Sequence, residues 1–220
     1  MLKAVIFDMD GVLLDSEPLH MQAIHLMLKK IGIKESDILK DKLIGADYET
    51  MWNSLIHEYN IKFPINELLQ MQCDCSYEYF KNAEIEEMQG LSEFIADLKK
   101  HGIYIAVGSS SPVRLIELVL KRLDLLKSVD TFCGIEYVCK PKPAPDIFLR
   151  IAKELRAEPE ECLVIEDSPI GIMAAKRAGM KCMALCNPHA PLAIEEEADG
   201  MFMGFSEMNY RRVKSFIEIE

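Results

Sequence analysis

The chain has 220 residues, half of them apolar, which is enough for one large core or a core with a modest insertion. Its 25 basic and 36 acidic residues leave a formal net charge of −11, a balance that disfavours nucleic acid and anionic membrane surfaces as partners. A phosphorylated metabolite would be repelled as well, so any anion site must be built locally from a metal, a lysine or helix ends. The opening residues, MLKAVIFDMD, hold too short an apolar run for a secretion signal, and no later run reaches the length of a membrane span. The seven cysteines (73, 75, 133, 139, 162, 182 and 186) are odd in number and include no CxxC pair. They read as free thiols of a cytoplasmic protein, several of them filling apolar runs.

Residues 3–7 form a short apolar run with β-branched members that ends at an acidic turn, the pattern of a buried strand. Similar runs follow at 103–107, 162–165 and 181–185, with a weaker one at 132–138. Helical spacing separates them at 91–100, 112–123, 145–155 and 169–178. Two of these helices open with Ser-Pro, which reads as a capping residue followed by proline in the first turn. Strands alternating with helices predict an α/β fold with a parallel sheet covered on both faces. Residues 15–84 break the alternation with three helical patterns and no strand between them. They predict an all-helical insertion into a Rossmann-like core made of residues 1–14 and 85–220.

Polar residues sit where four of the strands end, the edge at which open α/β sheets bind ligands. Asp8-Met9-Asp10-Gly11-Val12 places two carboxylates two residues apart on one side of an extended chain. They repel unless a cation lies between them, and magnesium prefers such oxygen ligands. Gly108-Ser109-Ser110-Ser111-Pro112 offers hydroxyls and open backbone N–H groups at a helix start, suited to an anion. Lys140-Pro141-Lys142-Pro143-Ala144-Pro145-Asp146 holds a lysine between prolines. Glu166-Asp167-Ser168-Pro169 sets two acids after a strongly apolar strand, where burial without a partner would be costly. Taken singly, each has a plainer reading as a helix cap or a solvated turn. Their order on successive strands is what points to chemistry.

Together, the Asp-x-Asp-Gly-Val segment, the hydrophobic run into Ser109, Lys-Pro-Ala-Pro-Asp and Glu-Asp-Ser-x-x-Gly-Ile-x-Ala-Ala-x-x-Ala-Gly resemble the four motifs of haloacid dehalogenase-like hydrolases. The resemblance spans essentially the whole chain. The insertion is similar to the helical cap of the branch holding β-phosphoglucomutase and sugar-phosphate phosphatases. It implies Asp8 as nucleophile and magnesium ligand, and Asp10 as general acid/base with its backbone carbonyl on the metal. It implies Ser109, with Ser110 beside it, as phosphate-binding, and Lys142 as the cation next to Asp8. Asp167 would hold magnesium with Glu166 assisting. The implied intermediate is an aspartyl phosphate.

Asp10 argues against dehalogenation, which has no leaving alkoxide to protonate. Phosphatase and phosphoglucomutase remain. The mutases use a cap arginine in Lys-Gly-x-x-Arg for the distal phosphate, whereas this chain reads Ile44-Gly45-Ala46-Asp47-Tyr48 at that place. The expectation is therefore a magnesium-dependent phosphatase of a small phosphorylated metabolite, with the mutase as alternative and a catalytically silent phosphate- or partner-binding relative as a third reading. Glu17 and His20 are the expected substrate contacts from the cap. A monomer or weak homodimer is the expected state, with no nucleic-acid or membrane partner.

Overall fold

The strong apolar runs are strands in the computed structural model, which describes residues 1–33, 48–186 and 198–218. They are β1 (Ala4–Phe7), β2 (Tyr104–Gly108), β3 (Thr131–Cys133), β4 (Cys162–Glu166) and β5 (Lys181–Leu185), joined by a short β6 (Gly200–Phe202). All pair in parallel, in the order β3-β2-β1-β4-β5-β6. Strand β1 is flanked on both sides, and all four of its residues are buried, which explains why it reads as a continuous rather than alternating apolar run.

Alternation along β1 divides the core. Ala4 and Ile6 join Ala106, Val164, Phe148 of helix α6 (Asp146–Leu155) and Ile172 of helix α7 (Pro169–Arg177) in one apolar cluster. Phe7 points the other way. It meets Phe94 of helix α4 (Leu91–Lys100) edge-on at 6.1 Å and Phe205 at 6.1 Å, while Phe94 and Phe205 stack at 5.7 Å. Helix α5 (Val113–Arg122) follows β2, and helix α8 (Tyr210–Glu218) ends the described chain.

The chain divides into two compact units, Met1–Asp15 with Ile85–Glu220, and Ser16–Glu84. The second holds α1 (Glu17–Lys30), α2 (Tyr48–Tyr59) and α3 (Ile65–Asn82), packed around fully buried Trp52, Met27, Leu55 and Leu68. Among the described residues, no helix is long and apolar enough to cross a membrane.

Three local expectations change. The weak run at 132–138 is a strand only through Cys133, after which a 3₁₀ turn (Ile135–Tyr137) diverts the chain. That turn is tied to the loop after β2: Ile135 N–H donates to the Ser111 carbonyl at 3.3 Å. Second, Ser111 does not cap α5. The Glu136 carboxylate accepts the Val113 N–H instead, at 3.0 and 3.1 Å, while Pro112 occupies the cap position. At α7, by contrast, Ser168 caps as expected and accepts the Gly171 N–H at 3.1 Å. Third, β6 and α8 lie beyond the elements read from sequence. One is a three-residue edge strand, and the other is an arginine-rich helix pinned by Asp97, which accepts the Tyr210 N–H at 2.7 Å.

The aromatic cluster gives a direct test. Phe94→Ala removes a ring that is 1 % exposed and touches two others, and should cost about 3–5 kcal/mol of stability in urea unfolding. A loss under about 1 kcal/mol would show that the cluster is not a cooperative core.

Candidate active site

The sheet register assembles the site. Phe7 lies opposite Val107 on one side and Ile165 on the other. The next residues, Asp8, Gly108 and Glu166, therefore reach the carboxyl edge at one level. Lys142 enters from the proline-rich segment before α6 and meets all three. Its Nζ donates to Asp8 Oδ1 at 2.6 Å, to Glu166 Oε1 at 2.6 Å and to the Gly108 carbonyl at 3.0 Å. An ammonium has three donors, and each has an acceptor. The side chain is only 3 % exposed and its Nζ lies 4.9 Å from the Phe148 ring centroid. A buried charge costs several kcal/mol to desolvate, and this complete set of acceptors offsets it.

Glu166 is committed in both directions. Its Oε2 accepts from Asp167 N at 3.0 Å, Ser168 N at 3.0 Å and Ser168 Oγ at 2.9 Å, at the α7 N-terminus where the helix dipole favours an anion. Two glycines make room for these acids. A Cβ on Gly171 would lie 1.7 Å from Glu166 Oε1, and one on Gly11, whose φ is +76°, would lie 1.8 Å from Asp167 Oδ2.

Asp8, Glu166 and Asp167 bring one carboxylate oxygen each within 4.8 Å of the others. One lysine cannot neutralise three acids. Burial, then the neighbouring Glu166 and Asp10 charges, push Asp167 up to about 8. Burial likewise raises Asp8 well above the usual carboxylate range against the pull of Lys142. Burial would lower the Lys142 ammonium, but Asp8 and Glu166 outweigh it and raise it above its ordinary value. Hard oxygen donors, excess negative charge and the space left by Gly11 suit a divalent cation. With both Glu166 oxygens engaged, Asp8 and Asp167 are the acids best able to turn an oxygen to it.

The carboxylate of Asp10 takes a different role from the other acids. Its Oδ2 accepts the Ser109 hydroxyl at 3.2 Å and the Ser111 hydroxyl at 3.0 Å. Ser110, expected beside Ser109, is exposed, and Ser111 is the residue that sequence reasoning passed over. The third serine of the run was legible, but its place before proline reads as a helix cap.

Glu17 and His20 belong to the helical unit. Glu17 is exposed at the start of α1. His20 Nδ1 lies 2.9 Å from the Tyr48 hydroxyl and its ring 4.9 Å from that of Phe80. Trp52 is fully buried in that unit's core. Residues 44–47, compared above with the mutase clamp, lie outside the described residues. A cavity of about 350 Å³ lies past the ends of β5 and β6, lined by Leu185, Cys186 and Phe205 among others. None of the acids named above lines it, so side-chain chemistry rather than cavity size locates the site.

Residues 5–185 match the family described as haloacid dehalogenase-like hydrolase. The chain belongs to this family. Among curated relatives, the phosphorylated carbohydrates phosphatase of Thermotoga maritima is 32 % identical over 180 residues, covering 82 % of this chain and 83 % of the relative. Among solved structures, a putative β-phosphoglucomutase from Thermotoga maritima is 28 % identical with a TM-score of 0.76, covering 97 % of this chain and 99 % of that one. CbbY from Rhodobacter sphaeroides, solved in complex with phosphate, superposes with a TM-score of 0.83 over 94 % of this chain and 96 % of its own at 24 % identity, a likeness of fold. Within the haloacid dehalogenase-like hydrolases, then, this chain pairs the parallel core with a lysine-linked cluster of acids.

Two outcomes follow. The folded, metal-free protein keeps a proton on Asp167 that the unfolded chain loses above its ordinary 3.8, so this group makes stability fall as pH rises from about 4 to about 8. In EDTA, Asp167→Asn should therefore raise the melting temperature at pH 8 by about 4 °C or more relative to pH 5. Parallel pH profiles for parent and variant would refute the assignment. Gly171→Ala should destabilise the protein by more than about 1 kcal/mol in urea, although alanine favours a helix by nearly that amount. A variant as stable as the parent would mean that Glu166 is not wedged against α7.

Proposed function

We propose that the protein is a magnesium-dependent phosphatase that transfers the phosphoryl group of a small phosphate monoester, of the phosphorylated-sugar class, to Asp8 and then to water. The observation that carries this reading is the Lys142 ammonium shared between Asp8 and Glu166 beside Asp167. A carboxylate attacking a phosphate dianion meets electrostatic repulsion, and this is the arrangement that relieves it.

The residues divide the work. Asp8 attacks phosphorus while Lys142 holds it in place and balances charge on the incoming phosphoryl oxygens. The Ser109 hydroxyl and the backbone N–H groups of its loop receive those oxygens. Asp10 gives a proton to the leaving alcohol, then takes one from the water that attacks the phosphorylated Asp8. Glu166 keeps Lys142 aimed. Magnesium, held by Asp8, Asp167 and the Asp10 backbone carbonyl, would add charge neutralisation on the equatorial oxygens.

The likeness to the phosphorylated carbohydrates phosphatase supports the substrate class. The likeness to a putative β-phosphoglucomutase favours a second reading, phosphoglucomutase. Residues 16–84 contain no arginine, and Asp47 adds negative charge where that clamp would fall, so we favour hydrolysis. Free thiols at all seven cysteines support a cytoplasmic location.

Magnesium-dependent release of phosphate from an aryl phosphate should drop by about 10³-fold or more in Asp8→Asn, and be lost with EDTA. Retained turnover in that variant would sink the proposed nucleophile. β-Glucose 1-phosphate supplied with a trace of the 1,6-bisphosphate should yield free phosphate. Glucose 6-phosphate without phosphate release would replace the phosphatase by the mutase.

A further inference from the structure

The three serines after β2 have three different surroundings. Ser110 is exposed, Ser109 is fully buried, and Ser111 is 8 % exposed. Ser109 and Ser111 converge on a single atom, Asp10 Oδ2, and Ser109 Oγ also accepts the Ser111 N–H at 3.0 Å. A serine before a helix-starting proline ordinarily spends its hydroxyl on the first turn. Here Glu136 takes that N–H, which releases the Ser111 hydroxyl for Asp10. The Ser111 carbonyl is itself bound by Ile135 N–H, so its backbone is fixed from the neighbouring strand's continuation.

We infer that Ser111 is the positioning residue for the proton donor, holding Asp10 Oδ2 as an acceptor so that the transferable proton is carried on Oδ1. This rests on the phosphatase reading. Each carboxylate oxygen accepts about two hydrogen bonds, and two hydroxyls fill Oδ2. An arriving phosphoryl group draws the Ser109 hydroxyl to itself, while the Ser111 hydroxyl continues to hold Oδ2. In the first step the Asp8–phosphorus bond forms and the ester P–O bond breaks. Its electron pair stays on the ester oxygen, which takes the proton from Asp10 Oδ1. In the second step a water oxygen bonds to phosphorus, the Asp8–phosphorus bond breaks, and a water proton returns to Oδ1. The terminal torsion of an aspartate is broad and roughly two-fold, so without Ser111 the two oxygens exchange places and the proton faces the leaving group only part of the time.

The leaving group reads out this role. p-Nitrophenyl phosphate expels a stable phenolate that needs little protonation, whereas glycerol phosphate expels an alkoxide that needs it fully. For Ser111→Ala, kcat/KM on glycerol phosphate should fall about 10- to 100-fold, while kcat/KM on the aryl ester, which reports only steps up to departure of the leaving group and not the shared attack of water, falls by less than about threefold. Ser111→Thr, which keeps a hydroxyl, should recover most of the loss. Equal losses on both esters, or no loss on glycerol phosphate, would overturn the inference while leaving the phosphatase reading intact. A parent enzyme that hydrolyses neither ester would overturn that reading, and this inference with it.

Discussion

One buried ammonium ties three adjacent strands together. Lys142 takes a carboxylate from the residue after β1, a carbonyl from β2 and a carboxylate from the end of β4, and almost none of it touches solvent. The interaction is structural and chemical at once. Without the lysine, the acids at this edge would repel one another in a medium that screens poorly. Without the acids, the ammonium would be an unpaired buried charge. Neither half is stable alone, so the residues that would perform the reaction also close the top of the sheet. The parallel register puts them level, and the crossing order of the strands keeps that edge open, as is general for ligand sites in open α/β sheets.

Much of this was legible because the signals are local. A four-residue apolar run followed by Asp8, or another of four residues followed by Glu166, marks both a strand and its candidate functional end. Lys142 was legible from its prolines. What stayed hidden depends on contacts between segments distant in sequence. The hydroxyl of Ser111 reads as a cap because a serine before proline usually is one; that Glu136 fills the position is a tertiary fact. Gly171 reads as a small residue in a helix start, and only the position of Glu166 shows why nothing larger fits. Strand β6 is too short for periodicity to register, and α8 carries a fully buried residue, Val213, among charges.

The two compact units divide differently between physics and sequence. In the core unit, site residues occupy strand ends whose geometry the sheet dictates. In the helical unit, Trp52 and its neighbours account for packing, while His20 is linked to Tyr48 and Phe80 by contacts that serve a fold as readily as a ligand. Fold and family therefore follow from the core, and the polar residues of the helical unit are ones that apolar patterning does not describe.

The pairing of β1 carries a further consequence for biosynthesis. Ala4 hydrogen-bonds in register with a strand beginning at Tyr104 and another beginning at Cys162. Strand β1 is thus synthesised before both of its partners, and the whole helical unit lies between it and either of them. The helices of Ser16–Glu84 have their own apolar centre and can condense in the meantime. Nascent Asp8 waits, apolar strand attached, for a long loop closure to complete its surroundings, so the strand carrying the proposed nucleophile stays unpaired until its partners are made.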